Sequence, residues 1–216
     1  MTRTPGHQNA RLEVTMSKEA FRQAGNFFAD TVDEITASQW DESALGVWNV
    51  RDLVGHTSAS LGRIAQFSQQ RADKVDIVSA AQHYHVSLAV KGIDDDIADR
   101  GREAGQELGD DIAATIRTSL NKALAVLDTV PDGTIIAYPN GGIKIERYLE
   151  TRVLELTVHT LDIQAATGIE VEPPREALAC TLHLLADLAV DSGHGGQLAL
   201  LATGRGVIAD RFSVLG

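Results

Sequence analysis

Glu155 and His159 stand four residues apart in Arg152-Val153-Leu154-Glu155-Leu156-Thr157-Val158-His159-Thr160-Leu161-Asp162. On a helix that spacing brings their Cβ atoms to about 5–6 Å. Two ligands on a tetrahedral zinc have donor atoms about 3.4 Å apart, given bonds near 2.1 Å. The pair can therefore chelate a metal, although an ordinary ion pair or a solvated face would use the same spacing. Placing Glu155 at zero and advancing about 100° per residue puts Tyr148, Thr151, Arg152, His159 and Asp162 within roughly one third of the helix circumference. Apolar residues flank that stripe on both sides: Leu149, Val153, Leu156 and Ile163 on one, Leu154, Val158 and Leu161 on the other. The opposite face, with Glu150, Thr157 and Gln164, reads as the wet surface. A line of ionisable groups between apolar flanks points inward, where charges must pair, bind a metal or line a wet pocket.

A third ligand has to come from another element. His56 is the best placed, on the same broad side of a second helix as Leu53, Ile64 and Phe67; a histidine that merely fills the core there is the competing reading. His83 and His85 are rivals, although their two-residue spacing suits a strand better than a helix. Arg152 could bind a substrate carboxylate or pair with Glu155 or Asp162. Asp162 could orient a ligand or a bound thiol, or form a helix ion pair. Tyr148 is expected in the core with a satisfied hydroxyl, and Trp48 as an apolar anchor ahead of its helix.

The elements that carry these residues are mostly helices. Residues 1–15 read as a flexible arm and 16–216 as one domain with a short C-terminal tail. A first helix is expected from Ser17 to near Ala37, following Phe21, Ala24, Phe27, Phe28 and Val32. A second starts at Asn49, with Asp52 reaching back as in a capping box, and runs to about Arg71. Residues 77–90 read as a short helix and 94–109 as an irregular crossover. A third long helix spans about 110–130, and Thr134 to Ile145 is compatible with a small hairpin or a loop. The fourth long helix runs from about Ile145 to Thr167 with Gly168 as its stop, and a fifth from Pro174 to about Ser192. The fold class is all-α, a four-helix bundle with additional short helices.

The chain has 216 residues, with 30 acids against 19 bases and a net charge of −11. That excess repels polyanions, so nucleic acid and anionic membranes are not expected partners. No segment approaches the ~18 apolar residues of a membrane span, and the polar N-terminus has no signal-peptide core. The single cysteine, Cys180, sits in an apolar run and reads as a buried thiol. The expected setting is cytoplasmic.

Two segments carry a resemblance. Trp48-Asn49-Val50-Arg51-Asp52-Leu53-Val54-Gly55-His56 resembles the Trp-x-Val-Arg-Asp-Leu-x-x-His segment of the mycothiol-dependent maleylpyruvate isomerase family. Arg152, Glu155, His159 and Asp162 resemble its Arg-x-x-Glu-x-x-x-His-x-x-Asp segment. Thr203-Gly204-Arg205 is similar to the tail of short actinobacterial members. The family falls in the DinB-like group of metal-binding four-helix bundles. The resemblance implies a divalent metal, zinc first and nickel or iron next, on His56, Glu155 and His159, with Asp162 and Arg152 in supporting catalytic positions. It also implies a low-molecular-weight thiol such as mycothiol as co-substrate. The family's isomerase carries a further C-terminal domain, and the few dozen residues after the fifth helix begins are too few for one. The implied activity is therefore thiol S-transfer or thiol-dependent isomerisation on an electrophilic small molecule. The alternatives are hydrolysis by metal-activated water, or metal or thiol binding without catalysis. A homodimer is expected.

Overall fold

A computed structural model describes residues 5–89, 93–207 and 212–215. Along the chain run α1 (Pro5–Asp33), α2 (Val50–Phe67), α3 (Ala80–Leu88), α4 (Ile93–Glu107), α5 (Ile112–Thr129), β1 (Ile135–Tyr138), β2 (Gly141–Lys144), α6 (Ile145–Thr167), α7 (Arg175–Asp191) and α8 (Gly195–Ala202). The all-α expectation with a small hairpin holds. Residues 1–4 of the expected arm lie outside the described residues; from Pro5 onward the backbone is helical.

Four long helices make the frame. α1 and α2 each pack against both α5 and α6, so the four close into a square with α1 and α2 on one diagonal. Phe21, Phe28, Leu53, Leu61, Ile64, Ile116, Leu120, Leu149 and Val153 fill the space between them, each almost wholly out of water. The sequence sets the helix starts. Asn49 accepts from the Asp52 amide at 2.9 Å while Asp52 reaches back to the Asn49 amide, a complete capping box. Asp111 caps α5 and Ser79 caps α3 in the same way. β1 and β2 pair antiparallel across Pro139-Asn140, in register Ile135↔Lys144 to Tyr138↔Gly141, and swing Tyr138 toward α6.

Two expectations change. The face of α6 expected to be wet is not: Thr157 is fully buried and Gln164 donates to the Val171 carbonyl. α7 lies against α6 on that side, so α6 is enclosed by α1, α2, α3 and α7. Residues 93–107, expected as an irregular crossover, form α4. Gly101 and Gly105 lowered the helical reading there, yet their spacing of four gives α4 a face without side chains. α2 crosses on that face. A Cβ on Gly55 would lie 2.2 Å from the Gly105 nitrogen, and one on Gly101 would lie 2.6–2.7 Å from the Trp48 indole. Backbone meets backbone at the first crossing, so only glycine fits. Trp48 is then held from both sides, its indole N–H donating to the Ala98 carbonyl at 3.0 Å. Arg51 reaches across the same seam to the carbonyls of Gly105 and Gly109.

Gly55→Ala should therefore destabilise the protein by about 1–3 kcal/mol, as overpacked sites do. Gly62→Ala, on the same helix with open space around the added methyl, should stabilise by up to ~1 kcal/mol. Urea unfolding of the two variants checks this; equal effects would remove the argument for a close α2–α4 crossing.

Candidate metal centre

His56 lies in the second turn of α2, while Glu155 and His159 lie in the middle of α6. The facing helices bring them to one point. One donor atom from each of the three falls within 4.8 Å of the others. The Glu155 Oε2 is 3.3 Å from the His159 Nε2 and 3.9 Å from the His56 Nε2. The imidazole rings meet edge to face with centroids 5.1 Å apart. Between 16% and 21% of each side chain remains exposed, so the three residues lie partly open to the surface.

Two of the atoms that do not converge are occupied. The Nδ1 of His159 faces the Asp162 Oδ2 at 3.1 Å, and the other Glu155 oxygen, Oε1, accepts from the Tyr84 hydroxyl at 2.7 Å. The His56 ring lies on the Trp48 indole, centroids 4.6 Å apart. Two nitrogens and one oxygen are thereby left directed at each other. Such outer contacts fix tautomer and ring orientation in metal sites.

The electrostatics follow from crowding. Burial would raise the Glu155 carboxyl, but hydrogen bonds from His159 and His56 and the nearby Arg152 charge hold it well below the usual carboxylate range. Burial would lower His159, but Asp162 and Glu155 on either side raise it to about 9. For His56 burial prevails over Glu155, helped by the His159 charge, and its pKa falls. Burial pushes the Tyr84 hydroxyl up, with the Glu155 charge adding to it, so Tyr84 is a donor.

The remaining candidates separate cleanly. Arg152 is buried and has no ion-pair partner among the described residues; neither Glu155 nor Asp162 pairs with it, against the structural alternative. It donates to Thr151 Oγ1 and lies over the Tyr148 ring at 5.2 Å. Tyr148 is fully buried as expected, but its hydroxyl has no partner among the described residues. His83 and His85 are helical and point to different sides: His85 meets Asp191 on the surface, and His83 is buried beside the Tyr138 and Tyr148 rings and is not one of the three converging donors. Cys180 is half-buried, its thiol pushed up to about 12 by burial and then by Glu150. Tyr84 and Arg63 were not singled out by spacing. Arg63 stands seven residues after His56, two turns along the same face, and that register was the available signal.

A helical bundle with two imidazoles and a carboxylate converging between facing helices defines a class of metal-competent bundle proteins. The family model described as the mycothiol maleylpyruvate isomerase N-terminal domain matches residues 21–164, two thirds of the chain, and the protein belongs to that family. No curated protein and no solved structure matches it. Among the described residues no helix is long and apolar enough to cross a membrane.

His83 gives a pH test. Burial, with Arg152 beside it, lowers its pKa from 6.5 to about 4. A depressed histidine takes up its proton more readily when unfolded, so its contribution is intact above pH 6.5 and is lost as pH falls toward 4. The loss amounts to ~3 kcal/mol at most. Denaturant titrations at pH 7.5 and 4.5 should show a smaller drop in His83→Phe than in the unaltered protein; equal drops would contradict a neutral buried His83.

Proposed function

We propose that this protein holds one divalent metal, zinc first, on His56, Glu155 and His159, and uses it to direct a low-molecular-weight thiol onto an electrophilic small molecule. The supporting observation is that the three donors converge while Asp162 and Tyr84 occupy the outward atoms. The donor set fits: the 3.3 Å separation between His159 and Glu155 is already that of two ligands on a four-coordinate zinc, about 3.4 Å. Three protein ligands suit a catalytic site, which keeps a position for a reactant. A dication there supplies thiolate, the reactive form, at neutral pH, where a free thiol of pKa about 8.5 is mostly protonated.

The chain's own groups do the rest. Asp162 keeps the His159 Nδ1 occupied so that Nε2 faces the centre, which makes it a positioning residue. Tyr84 does the same for Glu155 by holding Oε1. His159, held protonated between two carboxylates, releases its proton when it becomes a ligand. Trp48 fixes the plane of His56 and forms an apolar wall beside the reactants. The thiol sulfur attacks the electrophilic carbon, a carbon–sulfur bond forms, and the thiol proton ends on the product. Expelling the same thiol again gives isomerisation; keeping it gives transfer. Family membership favours thiol over water as the nucleophile.

The purified protein should bind close to one equivalent of zinc by calorimetry with elemental analysis. His56→Ala and Glu155→Gln should abolish stoichiometric binding while the fold persists by circular dichroism. Asp162→Asn should weaken zinc by about 10–100-fold, and Asp162→Glu should recover part of the loss. Cobalt-loaded protein should develop a thiolate charge-transfer band on adding 2-mercaptoethanol. Full zinc binding by His56→Ala would refute the ligand set, and a cobalt spectrum indifferent to thiol would refute the thiol chemistry.

A further inference from the structure

A second cluster lies beside the triad and is not used by it. Arg63 and Arg152 come from facing helices, one two turns after His56 and the other one turn before Glu155. Arg63 stands one turn before Phe67 on α2, whose ring meets Tyr148 at 6.1 Å, and Arg152 lies over the Tyr148 ring at 5.2 Å; in that shared place Arg152 depresses Arg63, and both depress His83. Arg63 is half-buried, and among the described residues no carboxylate or carbonyl is within bonding distance of it. Arg152, 4% exposed, makes one neutral hydrogen bond. His83 is 3% exposed and Tyr148 is fully buried; among the described residues neither ring nitrogen of the first nor the hydroxyl of the second has a hydrogen-bond partner.

These groups share one aromatic box. The His83 ring stands 4.8 Å from Tyr138 and 5.9 Å from Tyr148, and Phe67 closes the cluster at 5.3 Å and 6.1 Å from the same two tyrosines. Buried polar groups are nearly always paired in folded proteins. Among the described residues, two guanidiniums without an acid partner, an imidazole and a hydroxyl without hydrogen bonds, in a chain of net charge −11, lack a common acceptor. The Glu155 oxygens are engaged by Tyr84 and by His159. A dication on Glu155 would sharpen the positive excess.

We propose that Arg63 and Arg152, with the His83 imidazole and the Tyr148 hydroxyl, form an anion subsite that binds a carboxylate of a small-molecule reactant next to the metal centre. Guanidinium forks match a carboxylate in two parallel hydrogen bonds. Flat ring walls admit a planar anion better than a tetrahedral one. The subsite deepens the function proposed above by naming a substrate class and rests on that reading only for the neighbouring metal; the binding itself needs none.

Calorimetric titration of metal-free and zinc-loaded protein with malonate, malonamide and inorganic phosphate tests it. Malonate should bind both forms, malonamide neither, and phosphate at least tenfold more weakly. Arg63→Gln, at a half-exposed position, should weaken malonate at least tenfold with unchanged thermal midpoint and zinc affinity, and Arg63→Lys should recover only part. The His83 ring resonances should shift on adding malonate. Absent malonate binding, binding indifferent to Arg63→Gln, or tighter phosphate would overturn the proposal. A protein that binds malonate but no zinc keeps the subsite and loses the metal; one that binds zinc but ignores malonate does the reverse. Mercapto acids of increasing length, compared with the matching mercapto alcohols on zinc-loaded protein, locate the carboxylate. A tenfold advantage for one length, lost in Arg63→Gln, puts it on the thiol. No advantage at any length, with malonate still binding, puts it on the electrophile.

Discussion

Glu155 is a negative charge with four fifths of its side chain out of water, and the architecture around it is what holds that charge in place. An unpaired carboxylate in such a position would be expelled or protonated. Here three neighbours share it: imidazoles from two helices on one oxygen and a tyrosine hydroxyl on the other. The same arrangement that makes the charge tolerable leaves the donors convergent. Stabilising the carboxylate and bringing the three donors to one point are one structural solution, and both need α2, α3 and α6 in fixed register.

That register depends on parts with no chemistry of their own. The glycine seam between α2 and α4 lets two backbones touch, which seats Trp48 against α4 and so fixes the His56 ring. The capping box at Asn49 and Asp52 sets where α2 begins, and with it the angle at which His56 leaves the helix. On the other side, the hairpin and α3 bring Tyr138, His83 and Tyr84 to α6. The result is a polar core in two halves, with the convergent His56, Glu155 and His159 at one end and the arginines beside the Tyr138, Tyr148 and His83 rings at the other.

Much of this was legible in the sequence. Helical periodicity and caps located α2, α5, α6 and α7 to within a few residues, and the stripe on α6 showed that its ionisable groups face inward. Helical spacing preferred His56 over His83 and His85, but only the family motif favoured a ligand over a core histidine, because a lone histidine on an apolar face looks the same whether it ligates or fills space. What periodicity could not show was tertiary. Thr157 lies on a face that looks wet from α6 alone and is buried because α7 covers it. Gly101 and Gly105 read as helix breakers because propensity is a local quantity, whereas their use is a contact with α2. Tyr84 reaches Glu155 through packing between distant segments that no local pattern marks, whereas Arg63 carried only its seven-residue register with His56.

X-ray absorption at the zinc edge of the loaded protein tests the central claim most directly. The account predicts four light donors near 2.0–2.1 Å with imidazole scattering beyond them, and the replacement of one by a sulfur near 2.3 Å when a thiol is added. A coordination shell with no imidazole contribution, or one that keeps its light donors unchanged under saturating thiol, would contradict it.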